Sequence, residues 1–215
     1  MSNAEALTLL AGERQLGSPA VAETCPQYLF LHEDEVLDHG AFRKFTPPAR
    51  IRSQADADAM WAAFNSGTVH HLSTDHAPST ADQKRQGDIW TAHFGLPGLD
   101  STFALFLDAA LTGRTSLERV VEAYARAPAQ RYRLARKGGI APGADADLVL
   151  IDPAAQRTLA DADVRSKAGW TPYAGRTLQG QVITTMLRGS VVVSDGKLVN
   201  DRVGRFLPGP GTNSR

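Results

Sequence analysis

The sequence predicts an α/β fold: a domain of alternating strands and helices, followed by an antiparallel β module. Three observations carry this reading. Strand-like and helix-like segments alternate through residues 1–136, as parallel βα units require. From residue 137 the pattern turns to strands, after the turn residues Gly138, Gly139, Pro142 and Gly143. Hairpin chemistry then recurs at Arg188-Gly189 and Asp195-Gly196, where glycine accepts a positive φ. The expected divisions are 1–136, 137–207 and a Pro/Gly-rich tail at 208–215, expected to be disordered.

The elements follow in order. Ala4, Leu7, Leu10 and Ala11 fall on one helical stripe, capped by Ser2 or Asn3 and ended by Gly17. Ala20 to Glu23 reads as a short strand, with a loop at Thr24-Cys25-Pro26. Pro47-Pro48 keeps the stretch from Phe45 to Arg52 extended. Ser53 caps a second helix whose apolar side is Ala55, Ala59, Met60, Ala63 and Phe64. Thr68 to Ser73 reads as a strand running into Thr74-Asp75-His76, and Ser79 to Asp88 as a polar loop. Thr102 to Leu111 is apolar on most sides, as a buried helix would be. Thr115 and Glu118 form a capping box before a helix with Leu117, Val120, Val121 and Tyr124 inward. Pro128 starts a further short helix. Asp147 to Asp152, Val182 to Leu187 and Val191 to Val193 are the strands of the second part.

Composition narrows the function classes. With 42% hydrophobic residues the chain can bury a core without disulfides, and its single cysteine, Cys25, cannot form an internal one. A free buried thiol in a reducing, cytoplasmic setting is the expectation. Lys plus Arg number 23 and Asp plus Glu number 23, so there is no net field to draw nucleic acid or an anionic membrane. No basic start followed by an apolar stretch suggests a signal peptide, and Thr102 to Leu111 is too short to span a bilayer.

The chemistry centres on Thr74-Asp75-His76-Ala77-Pro78, directly after a strand. Ligands of parallel α/β folds collect at the carboxyl ends of strands. A carboxylate there can bind a metal or carry a proton, or it can cap the following turn. His70 and His71 are adjacent strand residues and should point to opposite faces, so both cannot line one site. His32 and His39 lie in a charged, solvated segment, and His93 lies in the loop before Gly95. No Gly-rich phosphate loop is present, and no His/Cys cluster completes a metal site.

Several motifs occur in a telling order. They are Glu23-Thr24-Cys25-Pro26-Gln27-Tyr28-Leu29, Pro47-Pro48-Ala49-Arg50, Thr74-Asp75-His76-Ala77-Pro78 and Phe94-Gly95-Leu96-Pro97-Gly98-Leu99. A run from Gly139 to Val149 and Ser166-Lys167-Ala168-Gly169-Trp170-Thr171-Pro172-Tyr173 follow. This series resembles the cyclic amidohydrolases: dihydroorotase, allantoinase and hydantoinase. The resemblance implies the C-terminal part of a TIM-like (β/α)8 barrel followed by part of a small β-sandwich. It also implies hydrolysis of a small cyclic amide by water activated on a pair of divalent metals, usually zinc, in a protein that forms homo-oligomers.

By that resemblance Asp75 is both metal ligand and proton shuttle, the backbone of Phe94 and Gly95 contacts substrate, and Arg50 closes a loop near the site. The family's other ligands, a His-x-His pair, a carboxylated lysine and two further histidines, have no counterpart here. Ser2-Asn3-Ala4-Glu5-Ala6-Leu7 resembles the segment after the last of them, so the sequence reads as truncated at its N-terminus. Alone it is expected to be inactive and to self-associate. A non-catalytic relative serving as an assembly partner or scaffold is the alternative. Thr46 and Ser79 stand where dihydroorotases carry Asn and His, which leaves the ring substrate open.

Overall fold

The computed structural model describes residues 1–49 and 51–208, so Arg50 and nearly all of the expected tail lie outside the described residues. The first helix, α1 (Ala4–Gln15), starts where Asn3 Oδ1 accepts from the Ala6 amide at 2.9 Å. Its stripe buries Leu7 fully and lays Ala4 and Leu10 against the core. Strand β1 (Ala22–Thr24) begins two residues later than expected. Short helices α2 (Gln27–Phe30) and α3 (Glu35–His39) and a 3-10 turn, Gly40–Arg43, lead to the extended proline segment.

Helix α4 (Gln54–Asn65) opens on a reciprocal capping box between Ser53 and Asp56, and it buries Ala57, Met60, Trp61 and Phe64. Of the apolar side expected there, only Met60 and Phe64 are fully buried, so the buried stripe runs through Trp61 instead. Strand β2 (Val69–Leu72) then pairs parallel to β1, Ala22 opposite Val69 and Thr24 opposite Leu72. Parallel neighbours need a long crossover, which residues 25–68 supply. This pair is the βα architecture the alternation predicted.

The stretch from Ser79 to Asp88 is not all loop. Thr80 and Gln83 form a capping box that starts α5 (Ala81–Arg85), and this helix buries Lys84. Helix α6 (Thr102–Leu111) matches the sequence reading, with Leu105, Phe106 and Leu107 buried. Helix α7 (Leu117–Val121) is capped by Ser116, whose oxygen accepts from the Arg119 amide at 3.1 Å, and not by Thr115. Val120 is buried, but Leu117 and Val121 are exposed. A wide π-turn, Glu122–Arg126, shifts the register and carries the chain into α8 (Ala127–Arg131) without a break.

The second sheet is antiparallel in the order β3 (Leu148–Thr158), β4 (Thr177–Leu187), β5 (Ser190–Ser194), β6 (Lys197–Leu198). Strand β3 continues past Pro153 because a register shift between Asp152 and Gln156 takes the proline out of the ladder. Within it, Asp152 Oδ1 accepts from the Ala154 amide at 2.9 Å. Asp195 and Gly196 both take positive φ, 50° and 72°, as the expected hairpin requires.

One core joins the two parts. Phe30, Trp61, Phe64 and Phe106 form an aromatic cluster with centroids 5.3 to 6.0 Å apart. Leu159, Trp170, Tyr173 and Leu178 are buried in the same cluster of residues. Asp108 Oδ1 accepts from the Gln179 amide at 2.7 Å, so the single acid of α6 fastens it to β4. Lys137 pairs with Asp145 at 3.0 Å and with Asp147, which holds the turn-rich junction against the sheet. Among the described residues no helix is long and apolar enough to cross a membrane.

Candidate functional site

Asp75 stands three residues beyond β2, in the left-handed region at φ 46°. Aspartate tolerates that conformation better than most residues. The carboxylate is exposed, and its Oδ2 accepts from Gln27 Nε2 at 2.7 Å. Partial burial pushes the carboxyl above its ordinary range; Glu23 adds to this, while Gln27 and the N-terminal ammonium oppose it. Gln27 sits at the start of α2, so the two strand ends and the turn after β1 meet at one point.

The groups beside Asp75 are mostly committed elsewhere. Cys25 is buried, and burial together with the charges of Asp75 and Glu23 pushes its thiol up to about 12, so it is no nucleophile. Glu23 Oε2 lies 3.1 Å from Nε2 of the buried His71. His71 Nδ1 in turn lies 3.0 Å from His70 Nδ1. Strand alternation separates the two side chains at Cβ, yet the rings turn toward each other, which the period-two rule does not foresee. His93, like His32 and His39, is exposed.

The Asp75 turn is stapled to the Phe94–Leu99 loop. His76 Nδ1 accepts from the amides of Gly98 and Leu99 at 3.2 and 3.1 Å, and the Ala77 amide donates to Leu96 O at 3.1 Å. Glycines permit this approach: a Cβ on Gly95, at φ 93°, would fall 2.2 Å from Ala77 O, and one on Gly98 2.4 Å from Thr74 O. Phe94 projects outward, 58% exposed, with the Lys44 ammonium 4.1 Å from its ring centre. Phe94 O accepts from Ser79 Oγ at 3.1 Å, and the Gly95 amide donates to Lys44 O at 3.1 Å. Ser79 is therefore a buried brace of the loop. Of the backbone groups of this loop, the Gly95 amide is engaged inside the protein.

Sequence reasoning singled out Asp75 and the Phe94–Leu99 loop; the structure adds Gln27 and His76 as the partners that hold them. The Gln27 contact depends on β1 and β2 being neighbours, and the His76 contacts on how the Phe94–Leu99 loop folds back, neither of which a linear motif states. A metal centre does not fit the donors present. Asp75 offers one carboxylate with an amide beside it, and among the described residues no three His, Cys, Asp or Glu side chains converge on a common point.

Comparison with known proteins agrees with this layout. The sequence model of the Amidohydrolase family matches residues 22–192. An allantoinase from Rubrobacter xylanophilus is 34% identical over 208 residues, covering 96% of this chain and 45% of the relative. A dihydroorotase from Halobacterium salinarum is 39% identical over 186 residues, covering 86% of this chain and 43% of the relative. The solved L-hydantoinase (dihydropyrimidinase) from Arthrobacter aurescens superposes with a TM-score of 0.88 at 29% identity, over 94% of this chain and 45% of the neighbour. The chain spans a little under half the length of these relatives. On this match, and on a carboxylate turn locked to a glycine-rich loop at the end of parallel strands, the chain belongs to the amidohydrolase family.

Proposed function

We propose that this chain carries the proton-transfer carboxylate and one loop of a cyclic-amide hydrolase of the dihydroorotase, allantoinase or hydantoinase type. Asp75 is the carrier. Its upward-shifted carboxyl, oriented by Gln27, suits a group that takes a proton from the attacking water and returns it to the ring nitrogen as the C–N bond opens. The water oxygen bonds to the ring carbonyl carbon, and the product is an open chain with a new carboxylate and a protonated nitrogen. Phe94 supplies an exposed aromatic wall, and the loop backbone around Gly95 borders the same turn. The substrate is a small cyclic amide in the cytoplasm; by resemblance alone, Arg50 closes a loop near the site.

The observation that carries this reading is the position of Asp75 at the end of β2, tied through His76 and Ala77 to the Phe94–Leu99 loop. The family resemblance implies a divalent metal, usually zinc, and the donors among the described residues do not make a centre for it, so activation of the water is not assigned to this chain. The same shortage of donors favours the second reading, a non-catalytic family member that serves in assembly.

Purified chain with added zinc, assayed on dihydroorotate, allantoin and hydantoin, is expected to show no turnover and no stoichiometric retained metal. Joined to the complementary part of an allantoinase or hydantoinase, it is expected to open a ring. Turnover by the chain alone at ordinary rates contradicts this reading. Failure of every joined protein to open any ring, although folded, favours the assembly role.

A further inference from the structure

After a hydrogen-bonded turn that ends at Ala92, the Phe94–Gly95 loop has no regular hydrogen-bonded structure of its own from His93 to Gly95. Its backbone carbonyls are instead taken up by side chains. Lys44 Nζ donates to Trp90 O and Ala92 O at 2.8 and 2.6 Å. Lys84 Nζ donates to His93 O at 2.8 Å and to Lys44 O at 3.0 Å. Lys44 O is also the acceptor of the Gly95 amide, so one carbonyl joins Lys84 to the residue locked against the Asp75 turn.

Lys84 is unusual among these partners. It is 2% exposed, and no carboxylate among the described residues forms an ion pair with it. The Trp170 ring lies 5.7 Å from its ammonium, and Trp170 Nε1 donates to Ser79 O at 2.8 Å. A buried, unpaired ammonium is costly, and an apolar side chain of the same length would fill the space without that cost. What the ammonium adds is charge-assisted hydrogen bonds to main-chain oxygens that α5 cannot otherwise reach.

We infer that Lys84 is a positioning residue, whose buried ammonium holds the His93–Gly95 backbone against the Asp75 turn. Its weight for catalysis rests on the reading that this loop borders the ring substrate; its effect on loop order does not. Burial, reinforced by the charge of Lys44, lowers Lys84 to about 8, so the charge is lost just above neutral pH. The groups facing it are the Lys44 ammonium, the Lys44 and His93 carbonyls and the Trp170 ring. A neutral amine still donates, but without charge assistance, so the loop loosens without being released.

The test is amide hydrogen exchange by NMR on the full chain, wild type and Lys84→Met, with no turnover measured. In the variant at neutral pH, the Gly95 and Ala77 amides are expected to exchange at least about tenfold faster, since the two hydrogen bonds from the Lys84 ammonium are both lost. The Leu105 amide, bonded to Ser101 O within α6, is expected to be unchanged. In the wild type, Gly95 exchange corrected for intrinsic base catalysis is expected to rise across pH 8, a profile absent from the variant. Unchanged Gly95 protection in Lys84→Met, or equal acceleration at Gly95 and Leu105, overturns the inference. A flat corrected profile in the wild type does so as well, and needs no variant to fold. A joined protein that opens no ring would bear on the hydrolase reading and leave these exchange results standing.

Discussion

At the scale of single residues, Asp75 is held in a state that suits chemistry better than stability. Its carboxyl is shifted upward, so the folded chain binds the proton more tightly than the unfolded chain. Stability therefore falls as pH rises from the ordinary aspartate range through the shifted value. Asp75→Asn keeps an acceptor for Gln27 and tolerates the same backbone conformation. Thermal melts are expected to show the variant gaining on the wild type across that window, then holding a constant advantage at neutral pH. A variant that loses ground as pH rises would show that the carboxylate is stabilised in place. Gly95 is the backbone counterpart. Gly95→Ala forces a Cβ into Ala77 O at positive φ, and denaturant melts are expected to show a loss of about 1–3 kcal/mol.

At the scale of elements, the departures from the sequence reading share a cause. Helical spacing announced α1 and α4, β-branched and apolar residues announced β2, an almost wholly apolar run announced α6, and the antiparallel strands were marked by their turns. Helix α5 is a single short turn of polar residues whose buried face is one lysine, so no hydrophobic signal announces it. Leu117 and Val121 were placed inward, but α7 turns only Val120 into the core and leaves the face that carries Leu117 and Val121 to solvent. The cap of α7 was read one residue early because Thr115 and Glu118 satisfy the capping-box spacing, while Ser116 makes the bond. A pair of substitutions separates the two hydroxyls. Ser116→Ala is expected to cost about 1 kcal/mol in denaturant melts, the usual loss for a cap. Thr115→Val is expected to be neutral or stabilising, because Thr115 Oγ1 is shielded from solvent and has no partner among the described residues. The candidate site was legible only as far as a motif can be: the place after a strand left Asp75 open to a turn-capping role, resemblance alone gave it chemistry, and its partner Gln27 was not foreseen because their contact crosses the β1–β2 pairing.

At the scale of the whole molecule, the described residues place one sheet of two parallel strands beside one of four antiparallel strands around a shared core. Residues 159–178 were assigned by sequence to the second part, yet they bring Trp170 and Tyr173 into the main core and reach the site loop through Ser79 and Lys84. The outer surface is less complete. Val149, Leu150 and Val191 of the antiparallel sheet are exposed, as are Leu9, Leu16 and Leu37 of the first part. Exposed apolar residues near open strand edges favour association. Sedimentation of the purified chain is expected to show concentration-dependent self-association in the micromolar range, and a single monomeric species throughout would argue that this surface is tolerated in water.

The most direct test of the central claim is the rate of ring opening by the chain joined to the complementary part of a hydantoinase or allantoinase, with Asp75 intact or as Asp75→Asn. A proton-carrying Asp75 predicts a fall of about 10²–10⁴-fold in kcat, the usual contribution of a general acid–base group. Equal rates in the two proteins, with both folded, would contradict it.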